Sequence, residues 1–203
     1  MKKIALIVFL LAICVAAGRA QESRQDVSIS GTVLIEPFKA SPTDTDVSAD
    51  RAFGALVSYR FMLTPNSAVE ANYGVTYQNT IHYVISNTNH YLVNTRTQEA
   101  SFAYVRSFTF RKFNPFVEAG AGGLIFLPIR NSETTNLDVQ QQTQAAALFG
   151  GGIAYEISPS FDIRAEYRGL VTKVPDFKDT KDYLNTNKWY QIYNPVVGVA
   201  YHF

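Results

Sequence analysis

The stretch Trp189-Tyr190-Gln191-Ile192-Tyr193-Asn194-Pro195-Val196-Val197-Gly198-Val199-Ala200-Tyr201-His202-Phe203 decides how the chain is read. Alternate positions Phe203, Tyr201, Val199, Val197, Tyr193 and Trp189 are apolar or aromatic. The residues between them, His202, Ala200, Gly198, Val196 and Asn194, are smaller or more polar. A period of two defines a β-strand with one apolar face and one mixed face. Such a face must be covered, either by the core of a soluble protein or by lipid.

Working back from this strand, the same period recurs in seven more stretches. Val27 to Glu36 sets Val27, Ile29, Gly31, Val33 and Ile35 on one face, and Arg51 to Leu63 does so with Phe53, Ala55, Val57, Tyr59 and Phe61. Ala68 to Gln78 alternates Val69, Ala71, Tyr73, Val75 and Tyr77 with Glu70, Asn72, Gly74, Thr76 and Gln78. The others run from about Asn94 to Phe110, Pro115 to Leu127, Gln144 to Ile157 and Phe161 to Val171.

The connections alternate as well. Long polar segments, Pro37 to Asp50, Asn79 to Val93, Pro128 to Thr143 and Thr172 to Lys188, follow the first, third, fifth and seventh stretches. Tight turns at Thr64–Ser67, Arg111–Asn114 and Ser158–Ser160 follow the others, with Pro or Asn as turn formers. This sends every long loop to one end and every short turn to the other. It is the pattern of an outer-membrane barrel, with short periplasmic turns and long external loops. The fold expected is therefore all-β, an eight-stranded antiparallel up-and-down transmembrane β-barrel.

The amino terminus fits export. Lys2 and Lys3 precede the apolar run Ile4 to Ala17, and Gly18-Arg19-Ala20 places small residues for cleavage before Gln21. Residues 1–20 are expected to be a signal peptide and residues 21–203 the barrel domain. The run is too short for a membrane-anchoring helix. Cys14 follows Ile13, where lipidation needs a small residue. Cleavage removes Lys2, Lys3 and Arg19 but no acid, so 18 basic and 17 acidic residues become 15 and 17, a net charge of −2. That balance gives a nucleic-acid partner no electrostatic support. The single cysteine leaves with the leader, so disulfides play no part.

The charges decide which face is inside. Asp162, Arg164, Glu166 and Arg168 occupy four consecutive alternate positions, opposite Phe161, Ile163, Ala165 and Tyr167. A soluble barrel would have to enclose a large set of Phe and Tyr rings, more than an eight-stranded interior holds. Turned outward, the same rings face lipid and form interfacial girdles. The charges then lie in a narrow lumen and must pair with one another. The Ser158-Pro159-Ser160 turn sets Arg168 beside Gly150, Glu166 beside Gly152, Arg164 beside Ala154 and Asp162 beside Glu156. A centre within the Pro128–Thr143 loop sets Gly120 and Gly122 near Gly150 and Leu148. These four glycines are read as space for Arg164 and Arg168, paired with Glu166, Glu118 and Glu156, with Glu99 and Glu70 as further candidates. Easing of barrel curvature is the other reading of the glycines. Arg106 falls on the lipid-facing parity of its strand, to be explained by snorkelling near the periplasmic end or by a bulge.

Four segments carry a resemblance: Asn114 to Gly123, Gly150 to Tyr155, Arg164 to Arg168 and Gly198 to Phe203. With them the chain resembles the OmpA-type family of eight-stranded outer-membrane barrels, described as the outer-membrane protein β-barrel domain. In that family the aromatic carboxy-terminal strand is recognised by the outer-membrane assembly machinery, which implies that role for Tyr201 and Phe203. Outer-membrane lipid and lipopolysaccharide are the implied surroundings. OmpA itself adds a peptidoglycan-binding domain after the barrel, and none is expected here because the sequence ends at Phe203.

Nothing in the sequence points to catalysis. His82, His90 and His202 form no triad by position. The His82–Asn87 stretch lacks the His-x-Ser spacing of lipid A deacylases. The glycine runs sit in mid-strand with no helix after them, unlike a nucleotide-binding loop. Asp44 and Asp46 have the spacing that opens a calcium loop, without the glycine and glutamate that complete one. No cofactor, metal or catalytic residue is expected. The first functional reading is a monomeric barrel with a side-chain-filled lumen and a structural or surface-interaction role through its loops, which would hold any surface ligand. A small pore and a lipid A-modifying enzyme are the alternatives.

Overall fold

The computed structural model describes residues 24–36, 45–85, 89–129, 139–178, 184 and 188–203. Nine strand segments occur in chain order: β1 (Gln25–Leu34), β2 (Thr45–Ala49), β3 (Ala52–Thr64), β4 (Ser67–Ile85), β5 (Asn89–Ser107), β6 (Phe113–Pro128), β7 (Gln142–Ser158), β8 (Phe161–Lys173) and β9 (Trp189–His202). All pairings are antiparallel; β1 pairs with β3, β2 with β4, the other strands with their chain neighbours, and β1 closes on β9 through Val27–Tyr201, Ile29–Val199 and Gly31–Val197. The segments β2 and β3 pair successively with β4, so they form one interrupted stave and the barrel has eight. No helix among the described residues is long and apolar enough to cross a membrane.

The connections at Thr64–Ser67, Phe108–Lys112 and Ser158–Phe161 share one end with the start of β1 and the end of β9, here called the turn end. The opposite, loop end departs from the sequence reading. Within the expected loop Asn79 to Val93, residues 79–85 and 89–93 are paired strand rather than loop, continuing as Thr80–Asn94, Ile81–Val93 and Tyr83–Tyr91. Residues 45–49 of the expected first loop are likewise strand. Polar side chains such as Thr80 and Asn94 give this extension the composition of a loop, yet they bond each other across the ladder, Oγ1 to Oδ1 at 2.6 Å.

A β-bulge on β4 hides the hairpin further. Val75 pairs with Gln98 but Gln78 pairs with Arg96, so one extra residue is inserted on β4. A one-residue insertion exchanges inward and outward parity. Below it Asn72, Gly74 and Thr76 point inward; above it Asn79, Ile81 and Tyr83 do. The lost ladder bonds are replaced by the Thr76 hydroxyl, which donates to Thr97 O at 3.1 Å and accepts from Thr97 N–H at 3.0 Å.

The two faces separate cleanly. Phe53, Tyr77 and Phe102 are more than 65% exposed on the outside, whereas Arg168 is 0% exposed inside. At the turn end, Phe161–Tyr201 and Tyr201–Phe203 ring pairs continue the outer aromatic belt, at 5.0 and 6.0 Å between centroids.

Candidate functional site

The lumen holds two compartments stacked along the barrel axis. Toward the turn end it is charged. The β3–β4 register sets Arg60 opposite Glu70, and Nη2 meets Oε2 at 2.6 Å with both residues buried. The Arg60 guanidinium also lies 4.8 Å over the Phe116 ring. Arg164 reaches across β9 to Asp26 on β1, Nη2 to Oδ2 at 2.7 Å. His202, on the intervening β9, meets Asp162 Oδ2 at 2.9 Å and Asp26 Oδ2 at 3.9 Å. These contacts tie the first and last strands together at the closure.

Arg168 is the centre of the compartment. Its fork engages Glu99 through Nη2 at 2.6 Å and Nη1 at 3.3 Å, across the whole lumen from β8 to β5. Ser101 Oγ donates to the same Glu99 carboxylate at 2.7 Å and fixes its orientation. Arg168 Nε lies 3.4 Å from Glu118 and 3.9 Å from Glu166. A buried pair that is bidentate and braced in this way offsets much of its desolvation cost.

Among the residues singled out from sequence, Glu118, Glu166 and Arg168 are thus brought together, while Asp162 and Arg164 take other partners. Glu156 makes no ion pair among the described residues and lines a turn-end cleft of about 180 Å³ with Arg60, Asn114 and Arg164. Asp26, Arg60 and His202 were missed as partners. The inward parity of Asp26 and Arg60 was the available signal.

The glycines serve the carboxylates and neighbouring strands more than the arginines. A Cβ on Gly150 would stand 2.5 Å from Glu118 Oε1, so Gly150 makes room for that carboxylate beside Arg168. Gly152 abuts Glu166, while Gly120 and Gly122 lie against β5 at Ala103 and Ser101. The register joins Glu118 with Gly150, Gly120 with Leu148 and Gly122 with Ala146, which corrects the expected placement of Gly120 and Gly122 by one alternate position. Arg106 does point outward; no bulge intervenes, and its Nη1 donates to Ser67 Oγ at 2.8 Å.

Toward the loop end the interior is apolar, which the sequence reading did not foresee. Leu34, Ile81, Tyr83, Val93, Phe126, Leu170 and Ile192 project inward, and Val139, Val174, Phe177 and Leu184 from the connections fill the space between them. Phe177 packs edge-on against Phe126 at 6.4 Å. Its backbone is pinned by N–H donation to Gln142 Oε1 at 2.8 Å and by accepting from Gln140 N–H at 2.9 Å. Tyr83 Oη donates to Pro175 O at 2.6 Å. Phe177 and Lys178 have φ of 50° and 52°, a left-handed geometry that costs non-glycine residues on the order of 1 kcal/mol each. The burial of the Phe177 ring holds them there. Between the compartments, a void of about 10 Å³ touches Leu56, Gly74, Thr97 and Asn194. Glu36, above the end of β1, is buried with Asn79 Nδ2 donating to it at 3.1 Å, and burial pushes its carboxyl up to about 8.

The described residues hold no group of three or more His, Cys, Asp or Glu side chains arranged for a metal ion. His82 instead meets Asp50 at 3.4 Å.

An antiparallel barrel of eight staves that turns its aromatics outward and packs its charges inside is a membrane-spanning β-barrel. The chain belongs to the outer membrane protein beta-barrel domain family, whose model matches residues 5–203. Its fold is similar to neisserial surface protein A (TM-score 0.60, 12% identity, covering 89% of this chain and 98% of that one). It is also similar to OprG of Pseudomonas aeruginosa (0.57, 10%, 90% and 97%). Ail, the attachment invasion locus protein of Yersinia pestis, gives 0.52 at 13% identity, with 90% and 100% covered. No curated protein matches the chain at the level of sequence. The protein is one of the bacterial outer-membrane barrels.

Proposed function

We propose that this barrel is a non-conducting outer-membrane protein, structural or surface-interacting, whose working surface is the loop end. The observation that carries this reading is the double occlusion of the lumen: the Arg168 network below and the Phe177 plug above. Such an interior leaves the loops and the outer wall as the surfaces open to a partner. The leader comprises residues 1–20, the loop end faces outward, and Tyr201 and Phe203 serve as the assembly signal. The barrel acts as a monomer, without enzymatic chemistry. Ail, which shares the fold, has been solved in complex with the heparin analogue sucrose octasulfate, so the architecture is compatible with ligand recognition.

Planar-bilayer recording of the folded protein tests this. The expected result is no steady unitary current at any pH near neutrality. Reproducible channels would favour the pore reading, with the turn-end cleft as its vestibule.

A further inference from the structure

On the turn-end side of the Arg168 network the lumen opens again, as the cleft of about 180 Å³. At about 30 Å³ per molecule that is room for roughly six waters, or for one small solute. Its walls are mixed. Met62, Pro65 and Phe116 supply an apolar side, and Asn114, Glu156 and Arg164 a polar one.

Two opposite charges in this cleft stand next to each other and do not pair. Glu156 lies opposite Asp162 and Arg164 opposite Ala154, which makes Glu156 and Arg164 diagonal neighbours on the inner face, about 7–8 Å apart at the backbone. Arg164 leans the other way, across β9 to Asp26, where Nη2 meets Oδ2 at 2.7 Å. Its Nε and Nη1 stay buried without a hydrogen-bond partner among the described residues, on a side chain that is 5% exposed. Asp162 is likewise turned away, to His202 at 2.9 Å. Glu156 is left without a cation among the described residues. One strand over, Asn114 on β6 also lies opposite Ala154, and its Oδ1 is a buried acceptor with no partner among the described residues.

The charge balance of the lumen narrows the ligand. Carboxylates outnumber guanidinium groups on the inward face of the described strands, so a lone anion is repelled. A lone cation on Glu156 would sit beside the Arg164 guanidinium and leave its nitrogens unsatisfied. A single molecule that carries both a carboxylate and an ammonium group answers both charges. Its hydrogen bonds are charge-assisted at either end, and inside a lumen they are stronger than in open water.

We propose that the turn-end cleft binds a small zwitterion of the amino-acid class. Its ammonium group donates to Glu156 and to Asn114 Oδ1, its carboxylate accepts from the free nitrogens of Arg164, and its side chain rests on Met62 and Phe116. The site is independent of the loop end and of whether the barrel conducts, because all of these residues line the cleft at the turn end.

The test is an NMR titration of the mature full-length protein, isotope-labelled and folded in a nonionic detergent, with alanine, alaninamide and N-acetylalanine as probes. Alaninamide lacks the carboxylate, and N-acetylalanine lacks the ammonium group. Alanine should shift the Asn114 and Glu156 amides and the Arg164 Nε–H signal along one saturation curve. Loss of either charge should weaken binding by about tenfold or more, the scale of one charge-assisted hydrogen bond. Glu156→Gln should weaken alanine by a similar factor and make N-acetylalanine no weaker. Heat-modifiable mobility confirms that the variant has folded, and the three probes on the wild type decide the matter if it has not. Absence of a saturable shift in the cleft, equal binding of the three probes, or undiminished alanine binding by folded Glu156→Gln would each overturn the proposal.

Discussion

Arg168 concentrates the energetic argument at the scale of single residues. It is fully buried, and three carboxylates converge on it. Arg168→Met would leave Glu99, Glu118 and Glu166 without their cation, a loss of about 3–5 kcal/mol. Urea unfolding in lipid vesicles should show that loss, and adding Glu99→Gln should recover part of it because the two side chains share one interaction. Glu36 behaves differently, as a buried acid with no cation beside it among the described residues. Its proton is held to about pH 8 in the folded barrel, against an ordinary value of 4.5. The folded state therefore binds more protons between those values, and stability falls as pH rises from about 4.5 to about 8. Glu36→Gln should flatten that fall, an effect on the order of a few kcal/mol. Unfolding midpoints at pH 5 and pH 9 measure it; an unchanged pH slope would show that Glu36 is not the group responsible.

Among elements, the β4–β5 hairpin is where sequence and structure part most. The period of two was legible from Ala68 to Thr76 because each residue there keeps one parity, whereas Gln78, read on the face of Glu70 and Asn72, points outward. Beyond Thr76 the bulge exchanges the faces, and polar residues join the ladder, so a continuous strand reads as a loop. The β7–β8 hairpin was legible to its register because its turn is short and its charges fall on one parity, with Arg168 opposite Gly150 and Asp162 opposite Glu156. Cross-lumen partners were not legible. Arg164 meets Asp26 from 138 residues away, which depends on where the barrel closes rather than on local spacing. The bulge makes its own prediction. Thr76→Val keeps the shape but removes the hydroxyl that replaces the ladder bonds, at a cost of about 1–3 kcal/mol. Amide exchange should quicken at Thr97, whose N–H loses its acceptor. Unaltered protection at Thr97 would mean that the ladder closes without the hydroxyl.

For the whole molecule, the organising fact is inversion: aromatics outside, charges inside, and an apolar plug toward the loop end. The inversion was legible from the alternate charges Asp162, Arg164, Glu166 and Arg168 taken with a set of Phe and Tyr rings too large for an eight-stranded interior. The plug was not, since its Phe177 and Val139 come from connections whose sequence carries no strand period. Trp189, the one tryptophan in the chain, reports on the inversion directly. It is 57% exposed on the outer face at the loop end, with Lys173 Nζ 5.7 Å from its ring, as befits an interfacial anchor. In vesicles containing lipids brominated at known depths, its fluorescence should be quenched most by bromines near the headgroups and less by those at the bilayer centre. Fluorescence that no brominated lipid quenches would contradict a barrel whose outer face meets the membrane.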